Sequence, residues 1–560
     1  MRVAGMSRPR FRAYPVKGTR TEAGAALLAF LLVLLVGGSY ALLGDAKSLA
    51  QRAKLEESRK TVAALAEAKA ALIGYAVSRQ IDPNCTAPGN NCPRPGDLPC
   101  PDVNNDGVIP ATGTGSSCGS ASGSTGQASR LARLPWRTLD LGDVHDGTGE
   151  QLWYAVSATF KANTRSTCTN PGSAGCLNSD ARGRITVKVP GTDTDGDGDP
   201  GNFSVVHDGR NPEWRNPLER VNAPAQWTPS GAIAVVIAPG NPLKRQDGLV
   251  QSRGGACETA STPSCARNYL DVGLGEDNAT FYDGPTLSNR ADGFIAGKVL
   301  GNCNDGDCDG IVNDRILPIT YGDLIPLLEK RVVGEVLACL KSYSTYIDPV
   351  SGDSINKNRY LWAAMLDDLS QPYQDTDRIR FGRVPPFTAT SVAGMHNRWT
   401  DSCLMARFKY NDTTYCNKPG VPPHFDDSSC YRQNWWGNWK ELVFYAVAQK
   451  YQPDTIVPVE GPSPGPVPPE PPCGTPPCLA INQSVTQGDK RVVVIAAGKR
   501  LVAVAGGQPR DGANKGTVAN YLEEENATPE DDAFVETVNG DPPRPFNDVV
   551  GYLNADGDIR

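Results

Sequence analysis

The stretch from Ala25 to Leu43 contains 19 consecutive residues without a charge, and it constrains this chain more than any other feature. As a helix rising 1.5 Å per residue it would span roughly 28 Å, close to the apolar thickness of a bilayer. Five arginines and one lysine precede it, against a single acid, Glu22. The positive-inside rule keeps this basic leader, residues 1–24, in the cytoplasm. The sequence therefore predicts a single inner-membrane span, with residues 45–560 periplasmic or extracellular.

An alanine-rich, charged helical pattern continues directly from the apolar stretch, so we expect one unbroken helix that ends before Pro83. Its apolar positions recur at helical spacing, as Leu65 and Leu72 do. Three interpretations of the stretch stay open. It is the apolar part of a cleaved secretory signal, a plain signal anchor, or a helix whose basic leader is cut off at the glycine just before it. All three give the same topology.

The 16 cysteines favour an oxidising compartment and a disulfide-rich fold. Only four histidines are present and C-x2-C pairs are absent, which disfavours zinc sites. Seven couples are close in sequence, and the two remaining cysteines form the last candidate couple. The disulfide candidates are Cys85/Cys92, Cys100/Cys118, Cys168/Cys176, Cys257/Cys265, Cys303/Cys308, Cys416/Cys430, Cys473/Cys478 and Cys339/Cys403. The connectivity itself stays open.

From about residue 313 the sequence begins to repeat itself. The helix end AALIGYAVSRQIDP (70–83) resembles ACLKSYSTYIDP (338–349), and EQLWYAVSA (150–158) resembles ELVFYAVAQ (441–449). VVIAPGNPL (235–243) resembles VVIAAGKRL (493–501), and ARNYL with its following EDNAT (266–280) resembles VANYL with its following EENAT (518–528). Four such echoes in the same order predict two copies of one module. The alternative is that these segments resemble each other by chance, because apolar strands use few residue types.

The predicted fold class is α+β. A long transmembrane-plus-amphipathic helix leads two repeated modules, each a helix plus an antiparallel sheet. The expected segments are the leader 1–24, the apolar helix 25–43, a first module 44–322 and a second module 323–560, whose helix covers about Leu324 to Tyr346. A proline-rich linker, 452–478, should run extended through the second module. The net charge of −7 gives no basic footprint, so no nucleic-acid partner is predicted.

Three acidic loops place oxygen-bearing side chains on alternate residues, the spacing that converges oxygens on a hard cation such as Ca²⁺. None supplies the glutamate of an EF-hand at position twelve, where Gly113, Ser204 and Ile316 stand instead. We therefore predict structural calcium sites with distant additional ligands, and a solvated Asp/Gly turn is the alternative for each loop. The candidate ligands are Asp102, Asn104 and Asp106; Asp193, Asp195, Asp197 and Asp199; and Asp305, Asp307, Asp309 and Asp314.

Signals for catalysis are weak, and no catalytic residue is predicted. The histidines, His145, His207, His396 and His424, are scattered, and no nucleophile elbow, metalloprotease, phosphate-loop or dinucleotide motif occurs. Paired carboxylates of a glycoside hydrolase are set by the fold and stay open. The aromatic cluster Trp435, Trp436 and Trp439, with Phe444 and Tyr445 beyond it, fits a protein core better than a sugar-stacking surface. A non-enzymatic protein is the prediction.

Gly24, the apolar AALLAFLLVLL that follows it, the continuous alanine-rich helix and a disulfide-bearing β region together resemble the type IV pilin and type II secretion pseudopilin superfamily. The specific overlap covers about residues 18–80. The resemblance implies that a prepilin peptidase cuts between Gly24 and Ala25. It also implies that the apolar helix leaves the inner membrane to pack in a filament core against other pilins or pseudopilins.

Two departures from the family pattern refine this expectation. Ala23 and Glu22 precede the glycine where a basic residue is usual, and Ala29 stands where the family has a glutamate. In the family that glutamate pairs with the terminal amine of a neighbouring subunit, and a buried amine without a partner is costly. A subunit lacking it suits the filament tip or the initiation complex. The expected function is a large minor pilin or pseudopilin. The alternatives are a membrane-anchored adhesin and, further off, an anchored hydrolase.

Overall fold

The structure is a computed structural model of the 560-residue chain. It describes residues 22–79, 94–109, 131–160, 176–181, 183, 185, 187–189, 204–205, 232–253, 266–273, 276–279, 293–297, 312–345, 358–367, 379–384, 436–452, 473, 478–482, 488–500, 508–536 and 546–560. The chain divides into two compact units, Met1–Lys60 and Thr61–Arg560. Within the first unit the described part is helical from Glu22 onward.

Helix α1 runs without interruption over the 57 residues Glu22–Ser78, or roughly 85 Å. Its second half buries a stripe of small and apolar side chains at helical spacing: Thr61, Ala64, Leu65, Ala68, Leu72 and Ala76. Alanine at half of these positions permits close packing against a sheet, because it adds almost no bulk between helix and strands. The predicted continuous helix is thus present, and it ends at Ser78, ahead of Pro83.

The first sheet is antiparallel and has four strands in the order β1 (Leu131–Arg133), β2 (Trp153–Val156), β5 (Ala234–Ala238) and β9 (Arg315–Ile319). The sequence left residues 149–160 open between helix and strand. They contain β2, because a fully buried WYAV run packs apolar side chains on both faces.

The two faces of this sheet contact different parts of the protein. Tyr154 and Val236 point into the core with α1, whereas Trp153 and Val235 point into a smaller core on the opposite face. That smaller core includes residues of the three-stranded sheet β4–β3–β8, formed by β3 (Val187–Val189), β4 (Ser204–Val205) and β8 (Phe294–Ile295). The short hairpin β6 (Val272–Gly273) and β7 (Glu276–Asp277) lies between β5 and β8 in the chain.

Helix α2, Tyr321–Ser344, starts directly after β9, three residues before the predicted start, and ends two residues before the predicted end. Its start is fixed by Asp323, whose carboxylate accepts hydrogen bonds from the backbone N–H (2.7 Å) and the hydroxyl (2.8 Å) of Thr320. This carboxylate satisfies a terminal donor that no intrahelical carbonyl reaches.

The second sheet also has four antiparallel strands, in the order β10 (Phe381–Arg383), β11 (Val443–Val447), β13 (Lys490–Ala496) and β15 (Val549–Asn554). A short helix, α3 (Trp436–Trp439), precedes β11. The strands β12 (Ala480–Ile481) and β14 (Ala533–Phe534) pair in parallel beside this sheet. Helix α2 packs against β13 and β15.

The two large sheets match in order and in register. Tyr154 faces Val236 in the first sheet, and Tyr445 faces Val494 in the second. The Tyr154 hydroxyl donates to the Pro99 carbonyl (3.2 Å), and the Tyr445 hydroxyl donates to the Leu361 carbonyl (2.9 Å). On the far side of the middle strands, Val236 faces Leu317 and Val494 faces Gly551. One buried apolar cluster contains residues of both sheets and of both long helices.

Candidate functional site

Helix α1 is the candidate assembly element, because it carries the predicted cleavage site and the apolar stretch in one continuous helix. Gly24 and Ala25 lie in its first turn. Among residues with described side chains, the part long and apolar enough to cross a membrane is Gln51–Ser78, with a mean hydropathy of 1.2. Of its apolar 18-residue window, 33% is buried inside the protein. The apolar side chains of this window therefore serve the core in part, and Ala25–Leu43 is the better candidate for a span.

Exposed apolar side chains lie on α1 just before the buried stripe and at its start. Leu55 and Val62 are seven residues apart, which places them on one side of the helix, and their exposures are 62% and 58%. Leu49 is likewise 62% exposed. Leu49 and Leu55 precede the buried stripe, in a part of α1 where no described side chain is buried, and Val62 follows the first residue of the stripe, Thr61.

The junction between α1 and α2 is held by polar contacts. Lys69 Nζ donates to Asp323 Oδ2 (2.8 Å) and to the carbonyl of Pro318 (2.9 Å). Arg331 of α2 donates to the carbonyls of Val77 and Arg79 at the end of α1. Burial raises the pKa of Asp323, but the hydrogen bonds from Lys69 and Thr320 outweigh burial and leave the pKa below its usual value. The carboxylate that starts α2 therefore also fixes it to α1.

Replacing Lys69 with methionine is expected to lower the free energy of unfolding by about 0.5 to 1 kcal/mol at neutral pH, since the pair is partly solvated. Because the folded-state pKa of Asp323 is depressed, this contribution is present above the ordinary carboxyl pKa and is lost as pH falls through the depressed value. Denaturant unfolding at pH 7 and pH 3 checks this. Lys54→Met, at an exposed position on the same helix, is the control and should change little. A Lys69 effect of equal size at both pH values would contradict the assignment.

Each large sheet carries a buried cluster of two acids at the end of its third and fourth strands. In the first, the backbone N–H of Asp271 donates to Asp314 Oδ2 (2.8 Å), and Asp271 Oδ2 accepts the backbone N–H of Asn313 (2.6 Å). Asn278 Nδ2 donates to Asp314 Oδ2 at 2.7 Å. Burial raises the pKa of Asp271 to about 6 and that of Asp314 well above its usual value.

The second cluster repeats these three contacts. The backbone N–H of Glu523 donates to Asp548 Oδ2 (3.0 Å), and Glu523 Oε2 accepts the backbone N–H of Asn547 (3.2 Å). Asn526 Nδ2 donates to Asp548 Oδ2 at 3.1 Å. Burial raises the pKa of both Glu523 and Asp548. The sequence singled out Asp314 as a candidate calcium ligand but pointed to no pairing of acids, although the EDNAT and EENAT echo contains Asn278 and Asn526.

A stacked arginine accompanies each cluster. The Arg133 guanidinium lies over the rings of Trp153 (4.3 Å) and Tyr269 (4.0 Å). Arg383 lies in the same way over Phe444 (4.0 Å) and Tyr521 (4.2 Å). Burial lowers the pKa of each guanidinium to about 10, so both remain cationic at neutral pH. These arginines link the edge strands β1 and β10 to the segments that carry the acids.

The first predicted calcium loop forms a tightly bonded turn. Asp102 is buried, and its carboxylate accepts the backbone N–H groups of Asn104 (3.1 Å), Asn105 (2.8 Å) and Gly107 (2.7 Å). Gly107 has φ +82°, and a Cβ there would lie 2.7 Å from Trp136. Asn104 Nδ2 donates to Asp106 Oδ2 at 2.7 Å. In this conformation the Asp102 oxygens accept hydrogen bonds from the backbone of their own loop. This is the arrangement of a plain Asp/Gly turn, the alternative to a calcium site.

The other predicted ligands divide between two situations. Asp193, Asp195, Asp197, Asp199, Asp305, Asp307 and Asp309 lie outside the described residues. Asp314 is fully buried in the first acid cluster, so the structure places it in the core rather than in an exposed loop. In the described part of the chain, no group of three or more His, Cys, Asp or Glu side chains is arranged to hold a metal ion. Calcium binding stays a prediction.

The disulfide predictions have mixed outcomes. Cys473 and Cys478 form the predicted disulfide. Cys100 and Cys176 are disulfide-bonded, and their predicted partners, Cys118 and Cys168, lie outside the described residues. The predicted couple Cys339/Cys403 is wrong, because Cys339 retains a buried thiol in the core beside α2. The remaining candidates, Cys85, Cys92, Cys257, Cys265, Cys303, Cys308, Cys403, Cys416 and Cys430, lie outside the described residues.

His145 and the described members of the aromatic cluster occupy structural positions. His145 is in a partly exposed turn, and its Nδ1 lies 2.9 Å from the carbonyl of Asp143. Trp439, Phe444 and Tyr445 are buried in the main core, as expected for structural aromatic residues. Searches of family models, curated proteins and solved structures found no match to this chain.

Proposed function

We propose that the chain is a large minor subunit of a type IV pilin-like filament, either a type IV pilus or a type II secretion filament. The observation that carries the proposal is helix α1: an uncharged stretch long enough to span a membrane continues, without a break, into a half that packs on a four-stranded antiparallel sheet. This arrangement suits a subunit whose apolar half leaves the inner membrane for a filament core while its other half holds an exported domain.

The matched sheets support a second part of the proposal, that the exported region holds two copies of one module. Each sheet packs against a long helix, and the echoed segments supply corresponding strands in corresponding register. The second helix, α2, follows β9 directly and has no apolar extension of its own. Two modules on one assembly helix are bulky for the shaft of a filament, where every subunit occupies an equivalent place. A tip or initiation position accommodates them, and Ala29 in place of glutamate suits the same position.

N-terminal sequencing of the membrane-extracted protein tests this function. With a prepilin peptidase present we expect the mature chain to begin at Ala25, and without the peptidase we expect the leader, residues 1–24, to be retained. Processing that does not depend on the peptidase, or a start at another residue, would contradict the filament proposal. A plain membrane-anchored protein is then the remaining interpretation, since the same helix serves as an anchor.

A further inference from the structure

The second acid cluster places two carboxyl groups against each other in the protein interior. Glu523 is 7% exposed and Asp548 is 5% exposed. The two carboxyl groups adjoin, since Asp548 Oδ2 accepts the backbone N–H of Glu523 at 3.0 Å and the charge of Glu523 raises the pKa of Asp548. The other polar neighbours are amides: Gln508 Nε2 lies 3.4 Å from Glu523 Oε1, and Asn526 Nδ2 lies 3.1 Å from Asp548 Oδ2. Two adjacent anions at such a site would repel each other strongly, because the interior screens charge poorly.

The nearest cation does not form an ion pair with these acids. Arg510 is fully buried, and its Nε donates to the Asn520 carbonyl. Its Nη1 donates to Asp180 Oδ1 and the Gly498 carbonyl, and its Nη2 donates to Gln508 Oε1 and the Tyr521 carbonyl. All five N–H groups of a guanidinium are therefore committed elsewhere. Arg510 lowers the pKa of Glu523 only through space, and Arg383 lies beyond the Tyr521 ring.

One oxygen of the pair identifies where a proton belongs. Asp548 Oδ2 accepts two hydrogen bonds, from the Glu523 backbone and from Asn526, whereas the buried Asp548 Oδ1 has no hydrogen-bond donor among the described residues. Two carboxylates cannot hydrogen-bond without a proton, since an ionised carboxylate only accepts. We propose that Glu523 and Asp548 hold a single proton, carried on Asp548 Oδ1 and donated to the Glu523 carboxylate, and that this bond is a pH-sensitive latch in the second sheet.

The latch joins two segments that are distant in the chain. Glu523 belongs to the segment 508–536, which carries Arg510 and Tyr521, and Asp548 immediately precedes the last strand, β15. The same geometry between Asp271 and Asp314, including an Oδ1 of Asp314 without a donor, shows that the arrangement is not an accident of one loop. Removing the shared proton leaves two anions facing each other, which weakens the attachment of segment 508–536 to β15.

The sign of the pH effect follows from the raised pKa values. The folded state holds a proton that the unfolded state releases, so the latch stabilises fully below the ordinary carboxyl pKa. Its contribution is lost as pH rises through the raised folded-state pKa. While the pair retains its proton and the unfolded chain does not, the equilibrium for opening rises about tenfold per pH unit.

Hydrogen exchange of the full-length protein in detergent tests the latch locally. The backbone N–H of Glu523 donates to Asp548, so protection of the peptide 518–528, corrected for the intrinsic pH dependence of exchange, reports opening. We expect protection in the wild type to fall as pH rises from 5 to 8. In Asp548→Asn the amide donates permanently to Glu523, so protection should be independent of pH and higher than in the wild type at pH 8.

Glu523→Gln should also make the protection of peptide 518–528 independent of pH, because the glutamine amide donates to an ionised Asp548. Asp558→Asn, at an exposed side chain near the C-terminus, is the matched control and should retain the wild-type pH dependence. Wild-type protection that does not change with pH would overturn the proposal. So would protection that responds to added Ca²⁺ or a chelator rather than to pH, since a cation would then occupy the place of the proton.

Discussion

Replacing Leu340 with alanine is expected to lower the free energy of unfolding by about 2 to 5 kcal/mol, because the substitution leaves a cavity in a fully buried part of α2. Leu340 belongs to the cluster that also contains β11, β13 and β15 residues, so little room exists for collapse around the cavity. Denaturant unfolding measures the change. Leu327→Ala on the same helix is the control, since Leu327 is 41% exposed, and it should cost about 0.5 kcal/mol or less.

Because both halves of the repeat contribute to one apolar core, a second substitution tests whether they unfold together. Leu72 of α1 and Leu340 of α2 are both fully buried members of one apolar cluster. Leu72→Ala and Leu340→Ala should therefore shift the same cooperative transition, although the residues belong to the two halves of the repeat. Two separate transitions, each sensitive to only one of the substitutions, would show that the two sheets unfold independently.

The parts of the fold that sequence predicts well are those with a regular apolar period. The continuous α1, a second helix from about Leu324 and the strand within 231–240 all follow from the spacing of apolar side chains. The echoed runs at 150–158 and 441–449 contain β2 and β11, and both occupy the second position in their sheets. The order of strands in a sheet is set by pairing between distant parts of the chain. Because the local spacing of apolar residues does not encode this pairing, the sheet topology could not be predicted from the sequence.

The two acid clusters could not be predicted from the spacing of apolar residues. Asp271 and Asp314 meet across 43 residues of chain, and Glu523 and Asp548 across 25. Their pairing depends on which strand ends lie side by side. The contact of Asp314 with Asp271 could not be predicted for this reason, because spacing along a loop says nothing about a partner on a distant turn. The Cys339/Cys403 couple was chosen only because these two cysteines remained, and a thiol buried in a helix-packed core was the outcome.

Substituting Gly24 with leucine is expected to abolish removal of the leader, and this is the largest effect that the proposed function predicts. Gly24 lies in the first turn of α1, and glycine has a lower helix propensity than alanine. The turn can therefore open and expose the bond to Ala25. A leucine both strengthens the turn and adds a branched side chain beside that bond. N-terminal sequencing and gel mobility of the membrane fraction should detect only the uncut chain.

A matched substitution separates a failure of cleavage from a general defect of the helix. Gly37→Leu makes the same change within α1, 13 residues further along, and should leave the mature N-terminus at Ala25. If both variants are processed normally, the bond after Gly24 is not the cleavage site and the filament proposal loses its first step. If the Gly24 variant alone stays uncut and is absent from sheared filaments, the leader must be removed before α1 leaves the membrane, which is the order that assembly requires.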